Sequence, residues 1–229
     1  MNKNIKIGVP SKGRLRNDIL KIFKKNNLNL VSERGERDLL GSIKELKKIE
    51  VLYLHAREII ERLGDGSLDL GFSGYDLLKE SEINIQNKIN VTKKYIFGKA
   101  TLVVAIPDPW IDVQTIADLE EIAFEFKDKK KKRLRVATKY PNLTREFLFS
   151  KGVTQFKLVG SLGATEAYPF TGSSEIITDI TSTGETLKAN NLRILKDGQI
   201  LKSQACMMTS KSSFKKSEVK KLIKLLSKY

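Results

Sequence analysis

The order of strand and helix signals along the chain predicts an α/β protein made of two α/β lobes. Three observations carry this reading. Short apolar runs of strand character alternate from end to end with apolar residues at helical spacing. Clusters of glycine and hydroxyl residues fall at the carboxyl ends of the strand runs, where open α/β sheets bind ligands. The signals group into one α/β unit up to about residue 95, a second unit after it and a tail, an order compatible with two α/β lobes.

Ile5, Ile7 and Val9 alternate as a strand, and Leu15, Ile19, Ile22 and Phe23 then recur at helical spacing, with the turn Ser11 to Arg14 between them. Val51 to Leu54 reads as a buried strand. The helix after it carries Ala56, Ile59, Ile60 and Leu63 on one face and stops at the Gly64 to Gly66 turn. Leu68, Leu70 and Phe72 alternate into the turn Ser73 to Asp76. The second unit opens with the run Thr101 to Ile106, punctuated by Pro107 and Pro109. Thr115 with Asp118 resembles a capping box at the head of a helix that turns Ile116, Leu119, Ala123 and Phe126 inward. Strand Leu134 to Thr138, a helix near Thr144 to Ser150, strand Phe156 to Val159 and strand Ser174 to Ile180 follow. Ile194 to Thr209 reads as strand material around an Asp197-Gly198 turn. Ser217 is expected to cap a last helix with Val219, Leu222, Ile223 and Leu226 on one face.

With 229 residues, 40% of them hydrophobic, the chain can fill real cores. No run of 18 apolar residues occurs and the start has no signal-peptide stretch, so a soluble, cytosolic protein is expected, with no membrane partner. Cys206 is the one cysteine, which excludes an internal disulfide and a cysteine-cluster metal site. The formal charge of +15 invites a nucleic-acid reading. Its densest run, Lys127 to Arg133, is a solvated connection between a helix and a strand, and aromatics are only 7%, too few for stacking platforms. No nucleic-acid partner is expected, since a polyanionic substrate or an acidic partner explains the positive potential equally well.

The stretch Glu166 to Leu187 carries the chemistry. Ile176, Ile177 and Ile180 supply the β-branched content of a buried strand, and Asp179 sits at its carboxyl end. Thr181, Ser182, Thr183 and Thr186 surround Gly184 in a turn that opens a short helix, so free amides and a glycine able to take positive φ meet beside a carboxylate. A lone Thr-Gly-x-Thr turn is an ordinary turn or cap; the whole string is far more restrictive.

That string resembles the phosphoribosyl signature of the ATP phosphoribosyltransferases, at Glu166, Gly172, Ser174, Ile177, Asp179, Ile180, Thr183, Gly184, Thr186 and Leu187. Three further segments resemble the same family: Pro10 to Leu15 its Lys-Gly-Arg-Leu loop, Asp69 to Asp76 its Asp-Leu-Gly-x-x-Gly segment, and Ala137 to Pro141 its Ala-Thr-x-Tyr-Pro segment. The resemblance implies a periplasmic-binding-protein-like pair of lobes, the first discontinuous at 1–95 plus 195–229 and the second at 96–194, with the ligand in a cleft between them. It implies transfer of a phosphoribosyl group from phosphoribosyl pyrophosphate to N1 of the adenine of ATP, with Mg2+ accompanying the pyrophosphate and no residue assigned as its direct ligand. The chain ends after one helix and resembles the short form, which implies a homodimer working with a regulatory subunit similar to histidyl-tRNA synthetase.

Carried over residue by residue, Thr181, Ser182, Thr183, Gly184, Glu185 and Thr186 are expected to hold the 5-phosphate, and Asp179 and Glu166 the ribose hydroxyls. Lys12, Arg14 and Arg57 are expected to act on the pyrophosphate or the ATP phosphates, with Arg37 and His55 as further nucleotide contacts. Two departures from the family's pattern stand out. His55 replaces an arginine and is open to reading as a base, as a hydrogen-bonding structural residue or as a phosphate contact. Gly163, Ala164 and Thr165 are extra residues just before Glu166. The competing reading is a non-catalytic two-lobed small-molecule-binding module; another phosphoribosyltransferase accepting a free base would share the phosphate loop but not the other three segments.

Overall fold

The structure, a computed structural model, describes residues 4–31 and 39–228. Along the chain the elements are β1 (Ile5–Pro10), α1 (Gly13–Lys25), β2 (Leu30–Val31), β3 (Leu40–Ile43), β4 (Leu46–Leu54), α2 (Ala56–Gly64), β5 (Leu70–Gly74), α3 (Tyr75–Glu80), α4 (Ile83–Gln86) and β6 (Ile89–Lys94). There follow β7 (Ala100–Pro107), α5 (Ile116–Lys130), β8 (Leu134–Thr138), α6 (Pro141–Ser150), β9 (Phe156–Gly160), a 3-10 turn (Thr165–Ala167), β10 (Ile176–Thr181), α7 (Glu185–Ala189), β11 (Leu192–Ser203), β12 (Ala205–Ser210) and α8 (Ser217–Leu226). Two compact units result, Met1–Lys99 with Gln204–Tyr229 and Ala100–Ser203. Each has its own sheet.

In the first unit the sheet order is β2-β3-β4-β1-β5-β12-β6 among the described residues. β1 runs parallel to both β4 and β5, so three carboxyl ends share one edge, while β12 is antiparallel to β5 and β6. The alternation of Ile5, Ile7 and Val9 turns these side chains onto Ile19, Ile22 and Phe23 of α1 and Val219, Leu222 and Leu226 of α8. On the opposite face Ile59, Ile60 and Leu63 of α2 pack with Leu68, Cys206 and Met208. α2 approaches the sheet closely because two strand positions lack side chains. A Cβ on Gly71 would lie 2.5 Å from Cγ2 of Ile59, and one on Gly8 2.7 Å from Cδ1 of Leu68.

Asp69, in the segment that resembles the family's Asp-Leu-Gly motif, is buried structural cement. Its carboxylate accepts from the Lys6 amide at 2.8 Å, the Ser213 hydroxyl at 2.5 Å and the Lys216 ammonium at 2.6 Å. Burial pushes the acid's pKa up, but the Lys216, Ser213 and Lys6 donors outweigh it and hold the carboxyl below its ordinary range. The residue thus ties β1 and the turn before α8 to the start of β5.

The second sheet has the order β11-β7-β10-β8-β9 among the described residues, with β10, β8 and β9 parallel and β7 antiparallel to β10 and β11. Val104, Ile106, Val136 and Ile176 face α5 and α6 through Ile116, Leu119, Ala123 and Leu148. Val103, Ala105, Ala137 and Ile177 pack with Leu187 of α7 on the other side. The Thr115 and Asp118 capping box forms as expected and starts α5, which runs on to Lys130, so 127–130 of the charged run read as a connection are instead the helix's last turn.

Several expectations need correction. Asp197 and Gly198 do not turn the chain. They lie in an irregular stretch of the continuous strand β11, whose register on β7 jumps between Ile194 and Gln199. This bulge anchors the start of α5, because Asp197 accepts from the Ile116 amide at 2.8 Å and the Lys196 amide donates to the Gln114 carbonyl at 3.0 Å. Because β11 stays paired with β7 as far as Ser203, the return to the first unit comes at Gln204 rather than at 195. The outgoing crossing comes after Lys99 rather than after 95, since Tyr95 and Phe97 still pack in the first core. Ser217 is the first residue of α8, not its cap, and its hydroxyl donates to Glu218 at 2.9 Å.

Candidate active site

In the second unit the parallel strands β8, β9 and β10 deliver three loops to one edge. Thr138 stands opposite both Thr178 and Gly160, so the residues after them emerge together. Buried hydroxyls fix this register. Thr178 donates to Thr138 at 2.7 Å, and Thr144 of α6 lies 2.6 Å from Thr178 and 3.2 Å from Thr138. Thr138 Oγ1 also receives the Tyr140 amide at 2.9 Å. The Ala-Thr-x-Tyr-Pro segment therefore shapes this edge from below.

Asp179 sits at the end of β10, half-buried, and accepts from the Ile180 amide at 2.8 Å. Burial pushes its pKa up; the Ile180 amide and the positive charge of Lys139 oppose this, the charge of Glu166 adds to it, and the Thr165 hydroxyl opposes it, leaving the carboxyl above its ordinary range. Glu166 belongs to the 3-10 turn, and its charge acts on Asp179; the extra residues before it lie in the same turn. They are folded into a closed turn in which Ser161 donates to the Gly163 carbonyl at 2.8 Å and stands 2.9 Å from the Thr165 hydroxyl, with Ala164 at φ 31°.

Beyond Asp179 the chain forms a hydroxyl-lined loop. The Thr181 hydroxyl accepts from the Gly184 amide at 2.8 Å and the Thr183 hydroxyl from the Glu185 amide at 3.4 Å. Gly184, at φ 80°, caps α7, a backbone conformation that a side chain would strain. Ser182, Thr183, Glu185 and Thr186 are exposed around it. The loop is thus preshaped by its own threonines while its outer surface presents hydroxyls and main chain.

In the first unit the same logic acts at the ends of β1, β4 and β5. The Ser11 amide donates to the Leu54 carbonyl at 2.8 Å, pinning the two loops together. Lys12 is the N-cap of α1 and is exposed, with Gly13 at φ 83° after it. Arg14, Asp18, Ala56, Gly74 and Asp76 line a pocket of about 250 Å³. Arg57 lies in the first turn of α2, and His55 is that helix's N-cap, its Nδ1 accepting the Arg57 amide at 3.3 Å. Accepting at Nδ1 places a lone pair there, so His55 is engaged as a capping group. Arg37 lies outside the described residues.

The described residues contain no group of three or more His, Cys, Asp or Glu side chains able to hold a metal, and no helix among them is long and apolar enough to cross a membrane.

A family model, ATP phosphoribosyltransferase, matches residues 55–228. The chain belongs to that family. An ATP phosphoribosyltransferase of Nitrobacter winogradskyi is 45% identical over 213 residues, 93% of this chain and 66% of that protein. The chain thus spans just under two thirds of the length of the first such relatives. The solved structure of the "ATP phosphoribosyl transferase (HisG:HisZ) complex from Thermotoga maritima" is similar with a TM-score of 0.75 and 26% identity, covering 97% of this chain and 96% of that one. The substrate binding protein of an amino acid ABC transporter, at 15% identity, a TM-score of 0.55 and coverage of 97% and 91%, shares the fold alone. This member of the family therefore consists of two α/β units of periplasmic-binding-protein-like fold.

The structure brings Glu166, Asp179 and the loop 181–186 to one edge of the second unit, and Lys12, Arg14, His55 and Arg57 to one edge of the first. Sequence reasoning missed Lys139 and Thr165. Both act on Asp179, and the only sequence signal for Lys139 was its place beside Thr138 in a strand-end segment.

Proposed function

We propose that this chain transfers the phosphoribosyl group of phosphoribosyl pyrophosphate to N1 of the adenine of ATP, releasing pyrophosphate, in the first step of histidine biosynthesis. The observation that carries this is the strand-end site of the second unit, where Asp179 and Glu166 adjoin the Thr181–Thr186 loop in a chain of this family. The 5-phosphate docks on the hydroxyls and main chain of Thr181, Ser182, Thr183, Gly184, Glu185 and Thr186. Asp179 and Glu166 accept hydrogen bonds from the ribose hydroxyls and, by their negative charge, favour a ribose carbon that turns cationic as the leaving group departs. Lys12, Arg14 and Arg57 are assigned to the pyrophosphate or the ATP phosphates, with Arg37 and His55 as nucleotide contacts. Adenine N1 carries no proton to remove before it attacks, so no base is needed there, in keeping with a capping His55.

Mg2+ fits this arrangement as a substrate-borne ion. Two neighbouring carboxylates without a third protein ligand suit a cation that keeps its waters and takes most of its inner ligands from polyphosphate oxygens. Asp179 and Glu166 would hold it through water, and bound there it would neutralise charge on the pyrophosphate. The enzyme is cytoplasmic and works as a homodimer with a regulatory subunit similar to histidyl-tRNA synthetase; the similarity to one chain of a solved two-component complex supports the second partner.

The test is direct. Purified protein given ATP, phosphoribosyl pyrophosphate and Mg2+ forms phosphoribosyl-ATP; no product, even with the regulatory partner added, would sink the assignment. Asp179→Ala or Thr186→Ala weakens phosphoribosyl pyrophosphate binding by about 10- to 100-fold, the range for losing a hydrogen bond to a charged group, and ATP binding far less. Equal losses for both ligands would contradict the loop's role.

A further inference from the structure

We propose that Thr144 is a positioning residue of the phosphoribosyl site, whose hydroxyl closes a ring with Thr138 and Thr178 that fixes where β10 hands the chain to Asp179 and the loop 181–186. This role rests on the phosphoribosyl reading above and adds to it a side chain of α6 that lies outside the four motif segments. Thr178 donates to Thr138 at 2.7 Å, so its proton is spent there, and the 2.6 Å contact of Thr144 with Thr178 has Thr144 as its donor. Thr138, 3.2 Å from Thr144, is then the donor to it. Each hydroxyl gives one hydrogen bond and takes one within the ring, and the second lone pair of Thr138 takes the Tyr140 amide at 2.9 Å.

The ring ties the edge of the second unit at three places. Thr178 is the residue before Asp179 on β10. Thr138 ends β8, and its carbonyl accepts at 3.0 Å from the amide of Ser161, in the loop that leads from β9 to Glu166. Thr144 brings in the first turn of α6, where its own amide donates to the Tyr140 carbonyl at 3.0 Å. All three threonines are at most 1% exposed, and their strand neighbours Val136, Ala137, Ile176 and Ile177 are buried and apolar. Valine has the shape of threonine, and buried hydrogen-bonded partners can be exchanged for apolar groups of the same shape at little cost, so stability alone does not call for hydroxyls here. Placement does. Apolar contact is non-directional and lets a strand end slide, whereas a closed ring of hydrogen bonds holds a single register of β10 on β8.

The experiment uses the full chain and two variants that divide the threonine between them. Thr144→Val keeps its shape and removes the hydroxyl; Thr144→Ser keeps the hydroxyl and removes the methyl group. Calorimetry with phosphoribosyl pyrophosphate and Mg2+ is run at a temperature where circular dichroism shows each variant folded. Binding is about tenfold weaker in Thr144→Val, the lower end for losing a hydrogen bond to a charged group, and close to wild type in Thr144→Ser. Without ligand, amide hydrogen exchange in Thr144→Val is faster at Ile180 and Gly184, whose amides bond to Asp179 and Thr181, while the amides of α2 in the first unit keep their rates. A Thr144 that merely fills space gives the opposite order, because Thr144→Ser opens a cavity and Thr144→Val does not. Binding in Thr144→Ser as weak as in Thr144→Val or weaker, or wild-type affinity and exchange in Thr144→Val, overturns the proposal. Should Thr144→Val fail to fold, Thr178→Val opens the same ring from β10, Thr178→Ser keeps it closed, and the same two measurements decide. Wild type that fails to bind phosphoribosyl pyrophosphate overturns the phosphoribosyl reading instead, and the ligand-free exchange still decides whether Thr144 holds the end of β10.

Discussion

Asp179 is held in a state that its ligand can relieve. Burial and Glu166 raise its pKa, with the Ile180 amide, Lys139 and Thr165 opposing. A carboxyl raised in the fold favours the folded form below its unfolded pKa, and that benefit is lost as pH rises through the folded value. On the phosphoribosyl reading proposed above, ribose hydroxyls, or water on Mg2+, would donate to the ionised form, so that binding would draw Asp179 towards ionisation. Phosphoribosyl pyrophosphate affinity therefore climbs with pH from the ordinary carboxylate range upward, and binding in mild acid releases a proton. Calorimetry in buffers of different ionisation enthalpy reads that proton, and Asp179→Asn removes its contribution; identical proton release in the variant would refute the coupling. Asp179 and the Thr183-Gly184-Glu185-Thr186 loop were legible in the sequence, because hydroxyls and one glycine after a β-branched strand state a local geometry. Lys139 was not, because its relation to Asp179 exists only through the register of two strands about forty residues apart in sequence.

The elements that carry the first unit's charged residues are positioned by close packing. α2 presents Arg57 from its first turn, and it sits where it does because Gly8 and Gly71 leave space for Ile59 and Leu68. Gly71→Ala puts a methyl group 2.5 Å from Ile59 Cγ2, and overpacking of this kind costs about 1–3 kcal/mol. Chemical denaturation should show that loss, and because α2 must move away from the sheet, ATP binding should weaken along with it. A variant of wild-type stability would show that the glycine serves another purpose. The helical spacing of Ile59, Ile60 and Leu63 gave α2 its place in the sequence, and the Thr115–Asp118 pair gave α5 its start. β11 misled for an equally physical reason: Asp-Gly is ordinary turn chemistry, and only the long-range bonds from Ile116 and to Gln114 turn Lys196 to Gly198 into a bulge.

At the scale of the whole molecule, two α/β units were legible from the order of strand and helix signals and the interruption of one by the other from the family resemblance, while the crossing points at Lys99 and Gln204 were set by which strand each segment pairs with. β12 is an interior strand, with β5 on one side and β6 on the other. A ribosome releases β1 to β6 long before it makes β12, so the first sheet waits, incomplete and with open strand edges, while the whole of Ala100–Ser203 is synthesised and can already fold on its own core. A chain stopped after Ser203 should therefore show a folded second unit, with slow amide exchange in β7, β8 and β10, beside an unprotected β5 and β6; protection in those two strands would contradict this order. Order of synthesis and order of folding are thus expected to be reversed: the segment made first becomes native last.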